Sequence, residues 1–293
     1  MSDGRIASKC FIRFVILTLL GLIHDGDLLS LNFAHMRVWS VLGRIGFAWM
    51  MASFLYLLFR TKVRIAIAAG ILVAVTVFMR FVLAPDAPVG ADPFSAVGNF
   101  GCWLDRTLTR GHLLNDASGW RRGFQLYEPE GFAGMLPSIV TAMLGMFAGE
   151  IVRKPEWSMS RKTGLLVVLG VWLLVSGFAW SLVFPINKAL WSPSFTLAVG
   201  GISMLAFALF FWIIDVRGVV AWSFPFRVIG MNSILIYMLQ AIVPMHAINV
   251  KLFGGISALM PELVGKSFRL ATYLMICWSI LYLCYRKKLF VKV

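Results

Sequence analysis

The chain has 293 residues, of which 60% are hydrophobic and only 14% are charged, and its mean hydropathy is +0.84. A soluble domain carries about 25% charged residues, so this composition excludes a soluble protein and predicts several membrane-spanning segments. The net charge is +14, but the basic residues lie in short clusters between apolar runs, which is typical of membrane topology and argues against nucleic-acid binding.

Eight apolar stretches are long enough, or nearly so, for helices that cross a bilayer, which takes about 20 residues each. They are 11–27, 38–59, 65–84, 132–150, 164–184, 194–214, 229–248 and 269–285. Pro244 is expected to kink or end the seventh. Small residues predict close helix contacts in the fourth and sixth, at Gly134, Gly145, Gly149, Gly200 and Gly201. The sequence therefore predicts an all-α polytopic membrane protein with about eight transmembrane helices, in a single membrane domain over residues 1–293.

Lysine and arginine are concentrated on alternate connections between these stretches. The basic side comprises the N-terminus, the RTKVR turn at 60–64, the RKPEWSMSRK connection at 153–162 and the C-terminal YRKKLFVKV. Basic connections stay on the cytoplasmic side of a membrane. We therefore expect both termini in the cytoplasm and the long polar loop at 85–131 on the outer side.

The residues that most often bind metals are scattered. The four cysteines form no CxxC pair and do not cluster with the four histidines, so neither a disulfide framework nor a metal site is predicted. His112 lies in the loop sequence WLDRTLTRGHLL. It can titrate near neutral pH and act as a base, or it can be a hydrogen-bonding surface residue.

Two arginines in MRVWSVLGRIG, Arg37 and Arg44, are seven residues apart and so lie two turns apart on one helix face. A charged side chain in a membrane segment faces a cavity or a partner. Two interpretations stay open. The guanidinium groups hold a phosphate or carboxylate, or they form ion pairs with Glu128 or Glu130.

Glu130 lies in YEPEG, directly before the fourth apolar stretch. An acidic residue at a helix N-terminus is favourable for the helix dipole, so Glu130 is explained as a helix-start residue. A carboxylate at the mouth of a membrane cavity can equally orient or deprotonate a substrate amine.

Two further stretches carry polar residues. The connection FPINKALWSPS contains Asn187, Lys188 and Trp191, which is typical of an interfacial anchor. In GMNSILIYMLQ, a polar stripe starts at Asn232 and Ser233 and continues along one helix face. The stripe serves helix association or lines a ligand path, and the number of polar groups favours the ligand path.

Taken together, the chain resembles the heparan-α-glucosaminide N-acetyltransferase family. The resemblance runs from about residue 11 to the C-terminus and rests on MRVWSVLGRIG, GCWLDRTLTRGHLL, YEPEGFAGMLPSIVTAMLGMFAGE, FPINKALWSPSF, DVRG, GMNSILIY and YRKKLFVKV. The family consists of polytopic membrane enzymes that pass an acetyl group from cytosolic acetyl-CoA to a glucosamine amine on the outer side. The resemblance is closest to bacterial members found with amino-sugar utilisation, which implies the bacterial cytoplasmic (inner) membrane.

The resemblance also implies roles for individual residues. Contacts with acetyl-CoA are expected from Arg37, Arg44, Asn232 and Ser233, and contacts with the amino sugar from Asp105, Glu130, Asn187, Lys188 and Trp191. The family's catalytic histidine belongs to an outward loop that precedes the part matched here. Asp105, His112 and Glu130 are therefore the remaining candidates for catalysis, and we expect either a shortened member with little transfer or a chain whose start lies further upstream.

Two other functions fit the same features. One is a transporter for amino sugars or oligosaccharides, which also needs a long outer loop and polar helix lining. The other is a non-catalytic membrane subunit. In each case the partners expected are the lipid bilayer and a sugar, without nucleic acid or metal, and a homodimer is considered.

Overall fold

The computed structural model describes residues 3–25, 28–31, 33, 36–114 and 128–291. Over these residues the chain forms α-helices without any strand, which confirms the all-α prediction. In chain order the helices are α1 (Asp3–Asp25), α2 (Val41–Leu58), α3 (Thr61–Phe81), α4 (Phe100–Leu108), α5 (Phe132–Val152), α6 (Met159–Trp180), α7 (Pro193–Phe211), α8 (Phe224–Met231), α9 (Ser233–Ile242), α10 (Met245–Ala258) and α11 (Glu262–Arg286). A π-helical turn, Trp212–Val216, continues α7, and short 3₁₀ turns lie at Leu28–Ser30 and Ala221–Ser223.

Within the described part of the chain, seven helices are long and apolar enough to cross a bilayer: α1, α2, α3, α5, α6, α7 and α11. The predicted seventh span, 229–248, is instead broken. The segments Ala221–Met231 and Ser233–Ile242 meet at an angle of 57°, and counting them as one span gives eight. Helix α9 ends at Ile242 and α10 starts at Met245, so Pro244 ends a helix as expected. The protein is thus a multi-pass membrane protein.

The chain divides into two compact units, Met1–Arg217 and Gly218–Val293. In the first, α6 and α7 pack closely at Gly201. A Cβ at this position would lie only 2.6 Å from the backbone nitrogen of Leu174. The predicted close contact at this glycine is confirmed. At Gly145 and Gly149 it was wrong, since a Cβ there would meet no atom within 4 Å.

The predicted outer loop at 85–131 contains a helix that its polar composition concealed, while its residues 115–127 lie outside the described residues. The side chain of Asn99 caps α4 by accepting hydrogen bonds from the backbone nitrogens of Gly101 (2.9 Å) and Cys102 (3.2 Å). Cys102 packs into an apolar cluster with Met79 of α3 and Ala133 of α5. Helix α4 is therefore fixed against the ends of two predicted spans.

Capping also sets the start of α2. The hydroxyl of Ser40 accepts a hydrogen bond from the backbone nitrogen of Gly43 at 3.0 Å, so the helix begins at Val41. Arg37 consequently precedes the helix, and Arg44 lies one turn inside it. Helix α5 begins at Phe132, directly after the turn formed by residues 128–131.

Candidate functional site

Five charged side chains meet where the N-terminal ends of α2 and α5 approach α4. This charge cluster consists of Arg37, Arg44, Asp105, Glu128 and Glu130. The first four are at most 6% exposed, and the side chain of Glu130 is 14% exposed. Buried charges are stable only when they are paired or hydrogen-bonded, so each partner in the cluster matters.

Arg37 and Glu128 form a two-point ion pair. Nε and Nη2 of Arg37 donate to the two carboxylate oxygens at 3.1 and 2.5 Å. The same oxygens accept the backbone nitrogens of Leu114 (2.8 Å) and Glu130 (3.1 Å). Burial alone would lower the pKa of Arg37, but the hydrogen bond and the charge of Glu128 outweigh it and raise that pKa. The geometry at Arg37 matches the ion-pair interpretation.

Arg44 is held on several sides and keeps spare hydrogen-bonding capacity. Nη1 lies 3.1 Å from a carboxylate oxygen of Glu130, and Nη2 donates to the carbonyl oxygen of Pro129. The guanidinium carbon lies 4.8 Å from the ring centre of Trp191. Within the described part of the chain, Nε and Nη1 make no hydrogen bond of good geometry. Among the described residues, Nε therefore keeps an N–H group without an acceptor, while Nη1 faces the Glu130 carboxylate in an ion pair.

Gly134 makes room for this arginine. A Cβ at Gly134 would lie 2.8 Å from Nη2 of Arg44 and 3.0 Å from the Cβ of Trp191. Trp191 itself takes a left-handed backbone conformation (φ 50°), which is uncommon for a bulky residue, and its indole nitrogen donates to the hydroxyl of Thr141 at 3.1 Å. The connection between α6 and α7 thus positions the ring over Arg44.

Asp105 is fully buried, and its two carboxylate oxygens differ in their hydrogen bonds. Its Oδ1 accepts the backbone nitrogen of Phe132 at 2.8 Å, at the start of α5. Its Oδ2 makes no hydrogen bond of good geometry among the described residues, although the backbone N–H of Glu128 also approaches the carboxylate. Burial raises the pKa of Asp105 to about 7. The carboxyl group can therefore accept or release a proton near neutral pH.

The total charge of the cluster depends on that proton. Two guanidinium groups face three carboxylates, so the cluster is neutral when Asp105 is protonated and carries one negative charge when it is ionised. Gly131 is the residue in contact with the carboxylate, because a Cβ there would overlap the Asp105 oxygens. Sequence reasoning missed Gly131, although the spacing of Gly131 and Gly134 one turn apart in EGFAG is a usable signal.

The other sequence-predicted residues lie outside this cluster. Nδ1 of His112 donates to the carbonyl oxygen of Met36 at 2.8 Å, which matches its reading as a hydrogen-bonding residue. The side chain of Asn187 accepts the backbone nitrogen of Ala189 at 2.8 Å within its own turn, and Lys188 is exposed. Trp191, from the same connection, contacts Arg44.

Asn232 and Ser233 belong to the second unit. The buried side chain of Asn232 donates to the carbonyl oxygen of Leu289 and accepts the backbone nitrogen of Val291, both at 3.0 Å. Its hydrogen-bonding groups therefore hold the C-terminal segment. Ser233 is exposed at the first residue of α9. A contact of these two residues with acetyl-CoA stays a prediction.

No protein-family model matches the chain. It is similar to the heparan-alpha-glucosaminide N-acetyltransferase of Homo sapiens, with 26% identity over 287 residues, 81% of this chain and 42% of the human protein. It is also similar to the Mus musculus protein of the same name, with 28% identity over 178 residues, 57% of this chain and 26% of the mouse protein. The resemblance inferred from the motifs is confirmed. The chain spans less than half the length of these relatives.

Proposed function

We propose that this protein transfers an acetyl group from acetyl-CoA to the amine of a glucosamine-type sugar. The acetyltransferases to which it is similar supply the reaction class. One structural observation carries the proposal. Among the described residues, one oxygen of the buried Asp105 carboxylate makes no hydrogen bond, and Nε of Arg44 in the same cluster makes none either. A proton-accepting group next to buried hydrogen-bond donors is what acyl transfer to an amine requires.

Each side chain has a chemical part in this reaction. The amine nitrogen bonds to the carbonyl carbon of the thioester and loses a proton to Oδ2 of Asp105. The Nε–H group of Arg44 donates to the carbonyl oxygen as negative charge develops there. The carbon–sulfur bond then breaks, and the sulfur leaves as the thiol after it takes a proton back from Asp105. The protein therefore ends the cycle in the protonation state in which it began.

Glu130 and Trp191 complete the arrangement. Glu130 lies 3.1 Å from Arg44 and limits the directions in which the guanidinium can turn. The Trp191 ring covers one face of the guanidinium and keeps water from it. Both residues act on the substrate side of the site by fixing Arg44, and the Glu130 carboxylate, as a member of the cluster, can also orient an ammonium group.

The basic connections support an orientation for this site. Helix α2 starts at the cluster and has 18 residues, so the RTKVR turn lies about 27 Å away along its axis. Helix α5 also starts at the cluster and leads to the second basic connection. Arg64 and Glu150 join these two connections by an ion pair of 2.6 Å. By the positive-inside bias, the cluster then faces the outer side and both termini face the cytoplasm of a bacterial inner membrane.

The test is acetyl transfer by the full chain in proteoliposomes, with acetyl-labelled acetyl-CoA and glucosamine. We expect label on the sugar amine with the wild-type chain, strong loss with Asp105→Asn, and full retention with Asp215→Asn, an exposed acidic residue of the same unit. Uptake of unmodified glucosamine without labelling would overturn the transferase and support the transporter. Equal rates for Asp105→Asn and the wild type would remove Asp105 from the mechanism.

A further inference from the structure

A group of basic residues lies at the end of α6 that is remote from the charge cluster. Helices α6 and α7 are antiparallel neighbours, and Gly170 of α6 packs against Leu205 of α7. The same register, continued for about two turns, places Lys162 opposite the π-helical turn Trp212–Val216, which α6 contacts. None of these residues has a part in the proposed acetyl transfer.

Lys162 lies in the first turn of α6 and is buried without a partner. It is 6% exposed, and within the described part of the chain its side chain makes neither a hydrogen bond nor an ion pair. Side chains of a helix lean toward its N-terminus, so the stem of Lys162 leads toward the end of α6 that the basic connection precedes. An ammonium group in such a position is stable when an anion pairs with it, and the described residues do not supply one.

Two arginine–tryptophan pairs accompany this lysine. The guanidinium carbon of Arg161 lies 4.8 Å from the ring centre of Trp157, and that of Arg217 lies 5.4 Å from the ring centre of Trp212. Tryptophan at the end of a membrane helix is typical of the level of the lipid headgroups, and basic residues are typical of the cytoplasmic side. This end of the α6–α7 pair therefore lies where the phosphate groups of the bilayer are.

The local charge also favours an anion. Residues 153–162 and 212–217 contain five basic residues and two acidic ones, so positive charge is in excess. Both acidic residues, Glu156 and Asp215, are exposed and form no ion pair among the described residues. Phosphate oxygens accept hydrogen bonds from ammonium and guanidinium groups alike.

The face of α6 that follows Arg161 is apolar and exposed. Val168, Trp172 and Val175 come 7, 11 and 14 residues after Arg161, so the four side chains lie on one face of the helix. The three apolar residues are 64, 62 and 61% exposed. An acyl chain can lie along this face while its phosphate is at the start of α6, whereas a water-soluble anion would gain nothing from it. The apolar face therefore favours a lipid over a free phosphate.

We propose that the start of α6 binds the phosphate of an anionic phospholipid, which Lys162 and Arg161 hold while an acyl chain lies along the exposed face of the helix. The lipid supplies the countercharge of the buried ammonium group, and Trp157 packs on Arg161 at the headgroup level. The stability of the protein then depends on the charge of the lipids around it. This binding is independent of the proposed acetyl transfer.

The test is a titration of the full chain in neutral detergent with dioleoyl phosphatidylglycerol, followed by the midpoint of thermal unfolding. Dioleoyl phosphatidylcholine is the matched comparison, because it has the same acyl chains and no net charge. We expect phosphatidylglycerol to bind about 10-fold more tightly, which is the size of one charge-assisted contact. Lys162→Met should abolish this preference, and Lys162→Arg should retain most of it. Lys62→Gln, which removes one charge from an exposed position on another basic connection, should retain all of it.

The midpoint without lipid separates a lost lipid from a folding defect. Because Lys162→Met removes an unpaired buried charge, its midpoint without lipid should equal or exceed that of the wild type. A lower midpoint would show that Lys162 has a partner within the protein and would overturn the site. Arg161→Gln, at an exposed position, should weaken the preference on its own.

Three further outcomes would contradict the proposal. One is an undiminished preference for phosphatidylglycerol in both Lys162→Met and Arg161→Gln. Another is an equal loss of preference in Lys62→Gln, which would show attraction by the total charge alone. The third is displacement of the lipid by inorganic phosphate or by coenzyme A, which would show a site for water-soluble phosphate groups.

Discussion

The guanidinium carbon of Arg44 lies 4.8 Å from the ring centre of Trp191, so α2 is joined to the connection between α6 and α7 by one stacked contact. The ring is also held by a hydrogen bond from its nitrogen to Thr141 of α5. Three segments that are distant in the chain therefore meet at one tryptophan. We therefore expect a substitution of Trp191 to disturb all three segments.

Trp191→Leu should lower the stability of the protein and its rate of acetyl transfer. It removes the cation–π contact and the hydrogen bond to Thr141, which together contribute about 1–3 kcal/mol. The checks are the midpoint of thermal unfolding in detergent and the transfer rate. Trp172→Leu is the control, because Trp172 is 62% exposed on α6 in the same unit. Equal effects of the two substitutions would contradict a specific role for Trp191.

Acetyl transfer should rise with pH through about 7, because Asp105 accepts a proton only when it is ionised and burial raises its pKa to about 7. Asp105→Asn should lower the rate about 10²–10⁴-fold and remove this ionisation from the profile. The measurement is the transfer rate from pH 5 to 9 in proteoliposomes. An inflection near pH 7 that persists in Asp105→Asn would assign it to another group.

The same carboxyl group should make stability depend on pH. Its folded pKa of about 7 is above the ordinary value of 3.8, so the folded chain holds a proton that the unfolded chain releases. This stabilisation is fully present below about pH 3.8 and is lost as the pH rises through 7. We therefore expect the thermal unfolding midpoint of the wild type to decrease as the pH is raised from 5 to 7, relative to the midpoint of Asp105→Asn. Parallel curves for the two proteins would contradict the raised pKa.

Glu128→Gln should be among the most damaging single changes in the first unit. It leaves the buried guanidinium of Arg37 without its countercharge, which costs about 3–5 kcal/mol. Replacing both partners with methionine should recover much of that loss, because no unpaired charge then remains. The measurement is the unfolding midpoint of both variants. Glu262→Gln, which breaks the exposed ion pair with Lys266, is the control and should have little effect.

Gly134→Ala should reduce acetyl transfer, because the new Cβ would lie 2.8 Å from Nη2 of Arg44 and displace the guanidinium. A displacement of about 1 Å at a catalytic group costs about 10²-fold in rate. Gly145→Ala is a matched control on the same helix, since its Cβ would meet no atom within 4 Å. If both variants transfer acetyl at the wild-type rate, the position of Arg44 is not critical.

The sequence was sufficient for the features that depend on apolar runs and on proline. Helices α2, α3, α5, α6 and α7 overlap the predicted spans because length and hydropathy alone determine where a helix crosses a bilayer. The end of α9 before Pro244 follows from the missing backbone N–H of proline. The second unit was harder, since a bent pair of short helices has the same composition as one straight span.

The interior of the polar loop could not be predicted in the same way. Helix α4 has nine residues, which is too short for a helix to be stable alone, and it packs through Cys102 against other helices. The burial of Asp105 is a result of the same contacts. The sequence did offer Glu128 and Glu130 as partners for the arginines, but only the structure shows that each arginine takes a different one.

The turn at residues 128–131 touches every member of the charge cluster. It supplies both acidic partners of the arginines, the Pro129 carbonyl oxygen for Arg44, and the close contact of Gly131 with Asp105. Each added residue in a helix start rotates the following helix by about 100°. A single alanine inserted between Glu130 and Gly131 would therefore turn Gly134 away from Arg44 and misalign both ion pairs together. The distance along the chain from Glu128 to Gly134 is thus fixed by the site, although neither end of it is a catalytic group.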